Sequence, residues 1–586
     1  MNSRTDTAPE EPPGHAPAAL ADIPGVVTLP GRDLAPGRLL VPPSRLPPGS
    51  PGPATRSAIR PAPARPAPAP ARRRSRWSLP PGWRTFHPAW GLVVILAVQA
   101  ALSIRLMGTN TAFEDEALYL WAGHLEWTHW LHGTTIPQFP TYFSGAPVVY
   151  PVLGAIADGL GGLVAARLLS LLFMLGATIA LWSVTRRLFG PAGAFFAAAG
   201  WAVLAPTARP GAFATYDAMA LFLLALAAWF ATSGIGRRDA TRWMLAAALT
   251  LTLANVTKYA SALFDPVVIG MAVLTGYPAP GGKGALRRGA FLAAITIELI
   301  IVLLQIGRGW YVDGIEQTTL TRHAGGTPVA TVLLSSWDWT SYIVVAAVLA
   351  AVLCLVTTRA APTRMLVVML AATAGLVPAQ QARIHTLTSL SKHVDFGAWF
   401  AAIAIGYGVS RLSAISARPV RRRLLAAAGV AGLAVAAWAG LSQAVSLYDW
   451  PGAANLIPVL DRMVRPGDRV LADNAPTLEY YLPRVRWQQW SSVYGITLPS
   501  GRRVPEESDS LAPYQRALDR DYFRFVVLAF TDKPQLDSAI ASFLHTDPDY
   551  HFVGAIPFSN PGSHGSYLLW QYQPKHQPKY QPKHSR

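Results

Sequence analysis

Residues 88–124 run PAWGLVVILAVQAALSIRLMGTNTAFEDEALYLWAGH and combine an apolar block, a short polar loop and an acidic run. Within residues 88–107 the only charged side chain is that of Arg105. A block of this length, about 20 residues, matches the roughly 30 Å of hydrocarbon that a transmembrane helix must cross. The acidic run Glu114, Asp115, Glu116 follows closely. The sequence therefore predicts carboxylates next to a membrane surface.

The composition of the whole chain agrees with a membrane protein. Of 586 residues, 51% are hydrophobic and 14% are charged, whereas soluble domains carry about 25% charged residues. A single cysteine excludes a disulfide framework within the chain. The formal charge is +18, but the basic residues lie between apolar blocks and at the chain ends, without an aromatic-interleaved basic stripe. We therefore expect no nucleic-acid partner and a lipid bilayer as the surroundings.

Apolar blocks recur along the chain and predict about eleven transmembrane helices. The predicted spans are 88–107, 163–185, 191–207, 215–233, 241–256, 258–276, 287–306, 340–357, 363–380, 393–411 and 422–446. Alternate connections are basic, with Arg186 and Arg187 in the second and Arg237 and Arg238 in the fourth. Because cytoplasmic loops carry the excess of Lys and Arg, the pattern predicts a multi-pass plasma-membrane protein with a cytoplasmic N-terminus.

The blocks also divide the chain into regions. Residues 1–81 are rich in Pro, Ala and Arg, and we expect a disordered cytoplasmic tail because such a segment buries little apolar surface. The transmembrane domain is predicted over 82–446, with an outer loop at 108–162 that carries the acidic run. Short strand and helix patterns over 447–572 predict a small extracytoplasmic α/β domain. Residues 573–586 repeat the motif QPK and predict a disordered basic tail.

An ordered set of motifs resembles one class of membrane enzymes. The motifs are FEDEALYLWAGH at 113–124, SGAPVVYP at 144–151, ARLLS at 166–170, RLFG at 187–190 and YD at 216–217. Their order and spacing over about residues 88–275 resemble the GT-C membrane glycosyltransferases. Within that class, the chain is similar to the protein O-mannosyltransferases and the lipid A aminoarabinose transferases. The resemblance implies a helical polytopic fold and a sugar donor carried on a polyprenyl phosphate.

The same resemblance implies roles for the acidic run. The transfer would invert the sugar's anomeric carbon and deliver it to an extracytoplasmic acceptor, which could be a protein, a glycan or a lipid. A carboxylate must accept the acceptor's proton, and the family motif places this base at Asp115, with Glu116 assisting it. A competing interpretation is that the three acidic residues only favour the dipole at a helix N-terminus.

Candidate substrate-binding residues lie at the predicted outer ends of the helices. The resemblance implies an orienting role for Asp217 and a donor-phosphate contact for Lys258; the alternatives are a helix N-cap and a snorkelling lysine. Placement in outer loops adds His323, His385 and Lys392, although basic and aromatic residues at an interface are commonly membrane anchors. No cofactor is expected, and a divalent metal is left open because the spacing of the acidic and histidine residues does not indicate one.

Two functions from different classes fit these features. The first is an integral-membrane glycosyltransferase, a hexosyl- or pentosyltransferase that uses a polyprenyl-phosphate sugar. The alternative is a transporter or flippase of lipid-linked sugars. A transporter is expected to carry polar groups near mid-bilayer and to show two related halves. The sequence shows almost no charge within its spans and no evident internal repeat, which favours the enzyme.

Overall fold

The computed structural model describes residues 88–108, 110–235, 239–277, 281–320, 324–416, 418–493, 510–531 and 533–574. The predicted tail 1–81 and, apart from residues 573 and 574, the predicted tail 573–586 lie outside the described residues.

Helices dominate the first part of the chain. They are α1 (Pro88–Met107), α2 (Glu114–His132), α3 (Tyr150–Phe189), α4 (Pro191–Ala202), α5 (Ala205–Ala212), α6 (Tyr216–Ser233), α7 (Ala240–Thr257), α8 (Asp265–Gly276), α9 (Gly281–Ile306), the single turn α10 (Asp313–Ile315), α11 (Val329–Thr357), α12 (Ala361–Ala372), α13 (Leu376–Arg383), α14 (Leu390–Ile415) and α15 (Pro419–Val445).

The described residues contain nine helices that are long and apolar enough to cross a membrane, or ten if the bent pair α4 and α5 forms one span. The two members of that pair meet at an angle of 68°. The one predicted span that is not among them is 241–256, the helix α7. Arg242, Asn255 and four threonines lower its apolarity. The prediction of a polytopic α-helical protein is confirmed, and the exact number of spans stays approximate.

Two features of the helices shape the region near the acidic run. Helix α3 extends over 40 residues but is broken at Gly161 and Gly162, where Gly162 has φ +67°. A glycine suits this left-handed conformation because it has no Cβ. The break separates a first arm, in which Leu160 is 83% exposed, from the remainder of α3. Helix α6 is almost wholly buried at the centre of the largest core, so its first turn is fixed by packing.

The C-terminal α/β region contains a five-stranded sheet. Its helices are α16 (Ile457–Met463), α17 (Ala475–Tyr481), α18 (Ala512–Leu518) and α19 (Pro534–Thr546), and its strands are β1 (Val470–Ala472), β2 (Trp490–Ser492), β3 (Phe525–Leu528), β4 (Tyr550–Asn560) and β5 (Ser563–Tyr572).

The strand order in this sheet is β2-β1-β3-β5-β4. Strand β1 pairs in parallel with β2 and β3, and β5 pairs antiparallel with β3 and β4. Two apolar clusters, on alternate residues of β1 and β3, cover the sheet, one with Val470 and Phe525 and the other with Leu471 and Val526. Four strands coincide with the strand patterns in the sequence, whereas β2 has three residues and no recognisable alternation.

Candidate active site

Four charged side chains meet at the ends of α2, α6, α7 and α14. Lys392 Nζ lies 2.6 Å from Asp115 Oδ2 and 3.5 Å from Asp217 Oδ2, and Lys258 Nζ lies 2.7 Å from Asp217 Oδ1. The four residues span positions 115 to 392, so only the packing of the helices brings them together. We call Asp115, Asp217, Lys258 and Lys392 the charge cluster.

Asp217 and Lys258 form the buried half of the charge cluster. Asp217 lies in the first turn of α6, after the N-cap residue Thr215, and its side chain is 0% exposed. Lys258 ends α7 with extended backbone and is 2% exposed, with Nζ 4.6 Å from the centre of the Tyr216 ring. A buried charge requires a partner, and each of these residues supplies the other's. Lys258 therefore does not snorkel, and Asp217 is not the N-cap.

Asp115 is the accessible carboxylate of the charge cluster. Its side chain is 35% exposed, against 5% for Lys392 and 0% for Asp217. It lies in the first turn of α2, so the helix dipole stabilises its charge as well. Because a general base must reach a substrate hydroxyl, Asp115 is the one carboxylate of the cluster with the exposure that this role needs.

Glu116 points away from the charge cluster and is completely buried. Its carboxylate accepts hydrogen bonds from Arg167 Nε at 2.9 Å and Arg167 Nη2 at 2.7 Å. It also accepts from the backbone N–H of Phe113 at 3.3 Å and of Ala214 at 2.6 Å. Arg167 in turn donates to the carbonyl oxygens of residues 107, 110 and 111. These contacts indicate a structural role for Glu116, which holds the segment that precedes α2.

The C-terminal α/β region holds the same segment from the other side. Tyr481 Oη accepts the backbone N–H of Ala112 at 2.9 Å, and Trp450 Nε1 donates to the carbonyl oxygen of Thr111 at 3.2 Å. The backbone N–H of Ala453 donates to Thr111 Oγ1 at 2.9 Å. Residues 110–113, directly before the turn that carries Asp115, are therefore fastened between α3 and the C-terminal region.

We expect Tyr481→Phe to lower both thermal stability and turnover. The variant leaves the N–H of the fully buried Ala112 without its acceptor, which costs about 1–3 kcal/mol. A looser segment places Asp115 less accurately, so kcat should fall more than the affinity for the donor changes. The measurements are a melting curve and the steady-state kinetics of the purified protein.

The matched control is Tyr480→Phe. Tyr480 Oη donates to Asp158 Oδ1 at 2.6 Å, whereas among the described residues it forms no hydrogen bond with residues 110–113. Asp158 keeps its second partner, His124 Nε2 at 2.6 Å. Equal losses of turnover in the two variants would show that the effect does not pass through Ala112.

Of the two predicted histidines, only His385 is described by the structure, and it is not part of the charge cluster. His323 lies outside the described residues. His385 is half-buried with φ +50°, and its Nδ1 lies 3.1 Å from the carbonyl oxygen of Thr327. Its backbone carbonyl also accepts the N–H of Thr327. These contacts join two loops. The substrate-contact role predicted for His385 stays a prediction.

Tyrosines cover the charge cluster on one side. The rings of Tyr119 and Tyr216 lie 4.5 Å apart. Burial, reinforced by the charge of Asp115, raises the pKa of Tyr119 well above its ordinary value. Tyr119 therefore stays neutral at physiological pH and does not serve as a base.

A narrow pocket opens beside the charge cluster. It is lined by Phe113, Arg209, Pro210, Phe213, Thr215 and Lys392. Phe113 lies two residues before Asp115, so the pocket adjoins the proposed base.

Comparisons with known proteins show what this chain is similar to. Residues 147–306 match the family model described as dolichyl-phosphate-mannose-protein mannosyltransferase. The crystal structure of ArnT from Cupriavidus metallidurans in the apo state matches with a TM-score of 0.52 and 15% identity, over 83% of this chain and 98% of that chain. The chain has the GT-C fold. The resemblance drawn from the sequence motifs is confirmed.

Other GT-C structures match to a similar degree. ArnT from Cupriavidus metallidurans bound to undecaprenyl phosphate gives a TM-score of 0.50 at 15% identity, over 83% of this chain and 98% of that chain. The archaeal oligosaccharyltransferase AglB from Archaeoglobus fulgidus, in complex with an inhibitory peptide and a dolichol-phosphate, gives 0.51 at 12% identity, over 83% and 74%. No curated protein sequence matches significantly.

The range matched by the family model and the charge cluster overlap only in part. Asp217 and Lys258 lie inside residues 147–306, whereas Asp115 and Lys392 lie on either side of that range. Sequence analysis missed Arg209 and Arg167. Arg167 was visible within the ARLLS motif as an arginine in an apolar block, a placement that requires a partner in a membrane protein. Arg209 had no such signal, because it falls at the predicted end of a span.

Proposed function

We propose that the chain is an integral-membrane glycosyltransferase that moves a sugar from a polyprenyl-phosphate donor to an extracytoplasmic acceptor with inversion. The observation that carries the proposal is the charge cluster within a GT-C fold, in which a partly exposed Asp115 adjoins a pocket lined by cations. The structures of ArnT with undecaprenyl phosphate and of AglB with dolichol-phosphate and a peptide support this donor and acceptor class.

The proposed chemistry is a single displacement. The acceptor's hydroxyl oxygen forms a bond to the anomeric carbon while its proton passes to the Asp115 carboxylate. The bond from the anomeric carbon to the phosphate oxygen breaks, and its electron pair leaves with the phosphate. Attack from the face opposite the leaving group inverts the carbon. Lys392, which lies 2.6 Å from Asp115, provides positive charge between base and leaving group.

The direct test is transfer by the purified protein in lipid nanodiscs. A panel of undecaprenyl-phosphate hexoses and pentoses serves as donors, and envelope glycans, peptides and lipids serve as acceptors. We expect release of undecaprenyl phosphate that depends on both substrates, with the new linkage of opposite anomeric configuration to the donor. Movement of intact donor across the bilayer without any transfer would instead support the transporter. That alternative is disfavoured because the solved structures that share this fold are those of ArnT and of an oligosaccharyltransferase.

The orientation belongs to the same proposal. The basic residues in alternate loops support a plasma-membrane protein with a cytoplasmic N-terminus and an extracytoplasmic C-terminal region. In this orientation the charge cluster faces the outer surface, where a flipped lipid-linked donor and a secreted acceptor meet.

We further propose that transfer needs no divalent metal. Within the described ranges, no group of three or more His, Cys, Asp or Glu residues has an arrangement that could hold a metal ion. Asp217 already has a lysine Nζ near each carboxylate oxygen, so a divalent cation would meet like charge there. We expect EDTA to leave the transfer rate unchanged. Loss of activity in EDTA that is restored by added Mg²⁺ or Mn²⁺ would contradict this proposal.

A further inference from the structure

Within the part of the chain that the structure describes, no carboxylate forms an ion pair with Arg209. It lies on α5, the short helix that bends away from α4 by 68° and leads into the first turn of α6. The ion pairs that the described residues form do not include it. Its Nη1 donates to Ser391 Oγ at 2.7 Å, and its buried Nε has no hydrogen-bond partner.

Aromatic rings hold the guanidinium in place. Arg209 Cζ lies 5.7 Å from the centre of the Phe113 ring and 6.0 Å from that of Phe213. Such contacts stabilise a cation moderately but do not satisfy its N–H donors. The guanidinium group is planar, has unused N–H donors and is held against rigid rings. This arrangement suits the binding of an anion through two of its oxygens.

The charge balance of the site points the same way. The two carboxylates of the charge cluster, Asp115 and Asp217, are matched by the two ammonium groups of Lys258 and Lys392. The cluster is therefore close to neutral by itself. Arg209 supplies the excess positive charge of the site, and it lines the same pocket as Lys392.

We infer that Arg209 binds the phosphate of the polyprenyl phosphate, together with Lys392 and the hydroxyl of Thr215, which also lines the pocket. This inference rests on the proposed function and names the residue that stabilises the leaving group. As the bond between the anomeric carbon and the phosphate oxygen breaks, charge grows on the phosphate, and donors already fixed around it lower the barrier. Asp115 and Arg209 then act on opposite partners of one displacement.

The test measures binding of three probes to the wild-type protein and to Arg209→Gln in nanodiscs. The probes are undecaprenyl phosphate, undecaprenol and inorganic phosphate. Loss of charge-assisted hydrogen bonds should weaken undecaprenyl phosphate binding by about tenfold or more. Undecaprenol, which lacks the phosphate, should bind the two proteins equally. Wild-type affinity for inorganic phosphate as high as for the lipid would assign the site to the free anion and overturn the inference.

Two further variants keep the result interpretable. Arg209→Lys retains the charge but lacks the guanidinium group, so its affinity for undecaprenyl phosphate should lie between those of the wild type and Arg209→Gln. If Arg209→Gln fails to fold, Arg209→Lys serves as the test in its place. An affinity of Arg209→Lys equal to that of the wild type would then overturn the inference. Arg105→Gln removes an exposed arginine at the end of α1 and should leave binding unchanged. An equal loss in Arg105→Gln would show a general charge effect and overturn the inference.

The experiment separates this inference from the proposed function. If the wild type binds undecaprenyl phosphate and Arg209→Gln binds it equally well, only the role of Arg209 is wrong. If the wild type binds no polyprenyl phosphate and transfers no sugar, both proposals are wrong.

Discussion

Replacement of Asp115 by Asn should lower the transfer rate by about 10²- to 10⁴-fold, the range that a general base contributes. Asn keeps the size of Asp and can still accept a hydrogen bond from Lys392, but it cannot take a proton from the acceptor. Binding of undecaprenyl phosphate should stay near the wild-type level because the cations that line the pocket remain. Single-turnover kinetics with a lipid-linked donor measure the first effect, and nanodisc binding measures the second.

The matched control for this prediction is Glu114→Gln. Glu114 precedes Asp115 in the first turn of α2 and has the same relation to the helix dipole. If Asp115 served the dipole alone, the two variants would both lose about 0.3–1 kcal/mol of stability and would retain turnover. We expect turnover to separate them by at least about tenfold. Similar turnover in the two variants would remove Asp115 from the mechanism.

Local sequence signals found the residues whose charge is anomalous for their position. Lys258 stands out because it lies between two apolar stretches, where a charge requires a partner. Asp217 is marked by the YD motif of the family resemblance. Lys392 and Asp115 border predicted spans, where the motif or the loop position marks them. The structure brings these four together, although the pairing itself was not predicted. Pairing depends on how α6, α7 and α14 pack, which the sequence pattern does not contain.

The sequence signals were least informative where a side chain's direction decides its role. Glu116 follows Asp115 directly, yet the 100° turn per residue of a helix points it into the protein, toward Arg167. Arg209 reaches the pocket only because α5 bends away from α4. Both outcomes depend on tertiary geometry. A shift of one residue along a helix, or one bend between two helices, decides whether a side chain is buried in the core or faces the site.

The number of membrane spans was also only partly predictable from the sequence. Length and apolarity identified the helical segments, but α7 carries too many polar residues to count among the described helices that are apolar enough to cross a membrane. The predicted span 163–185 begins directly after the break of α3 at Gly161 and Gly162. Glycine placement is therefore informative where apolarity alone is ambiguous.

Glu116→Gln should destabilise the protein by about 3–5 kcal/mol, which is the usual effect of removing one partner of a buried ion pair. The variant keeps the shape of the side chain but leaves the guanidinium of Arg167, 1% exposed, without a counter-charge. Met107, Asn110 and Thr111, whose carbonyl oxygens accept from Arg167, would lose their common anchor. The measurements are denaturant unfolding in mixed micelles and the temperature at which activity is lost.

A double-mutant cycle with Arg167→Gln tests whether this loss belongs to the pair. If the charges compensate each other, the double variant should be more stable than the sum of the two single losses predicts, because no buried charge remains. Two single losses that simply add would mean that Glu116 and Arg167 act independently. Transfer by the double variant should also stay low. Two neutral side chains remove the cost of an unpaired buried charge, but they do not restore the hydrogen bonds that fix the segment before Asp115. The double variant should therefore regain stability without regaining turnover. This result would distinguish a structural role of Glu116 from the assisting role in catalysis that the family resemblance implies.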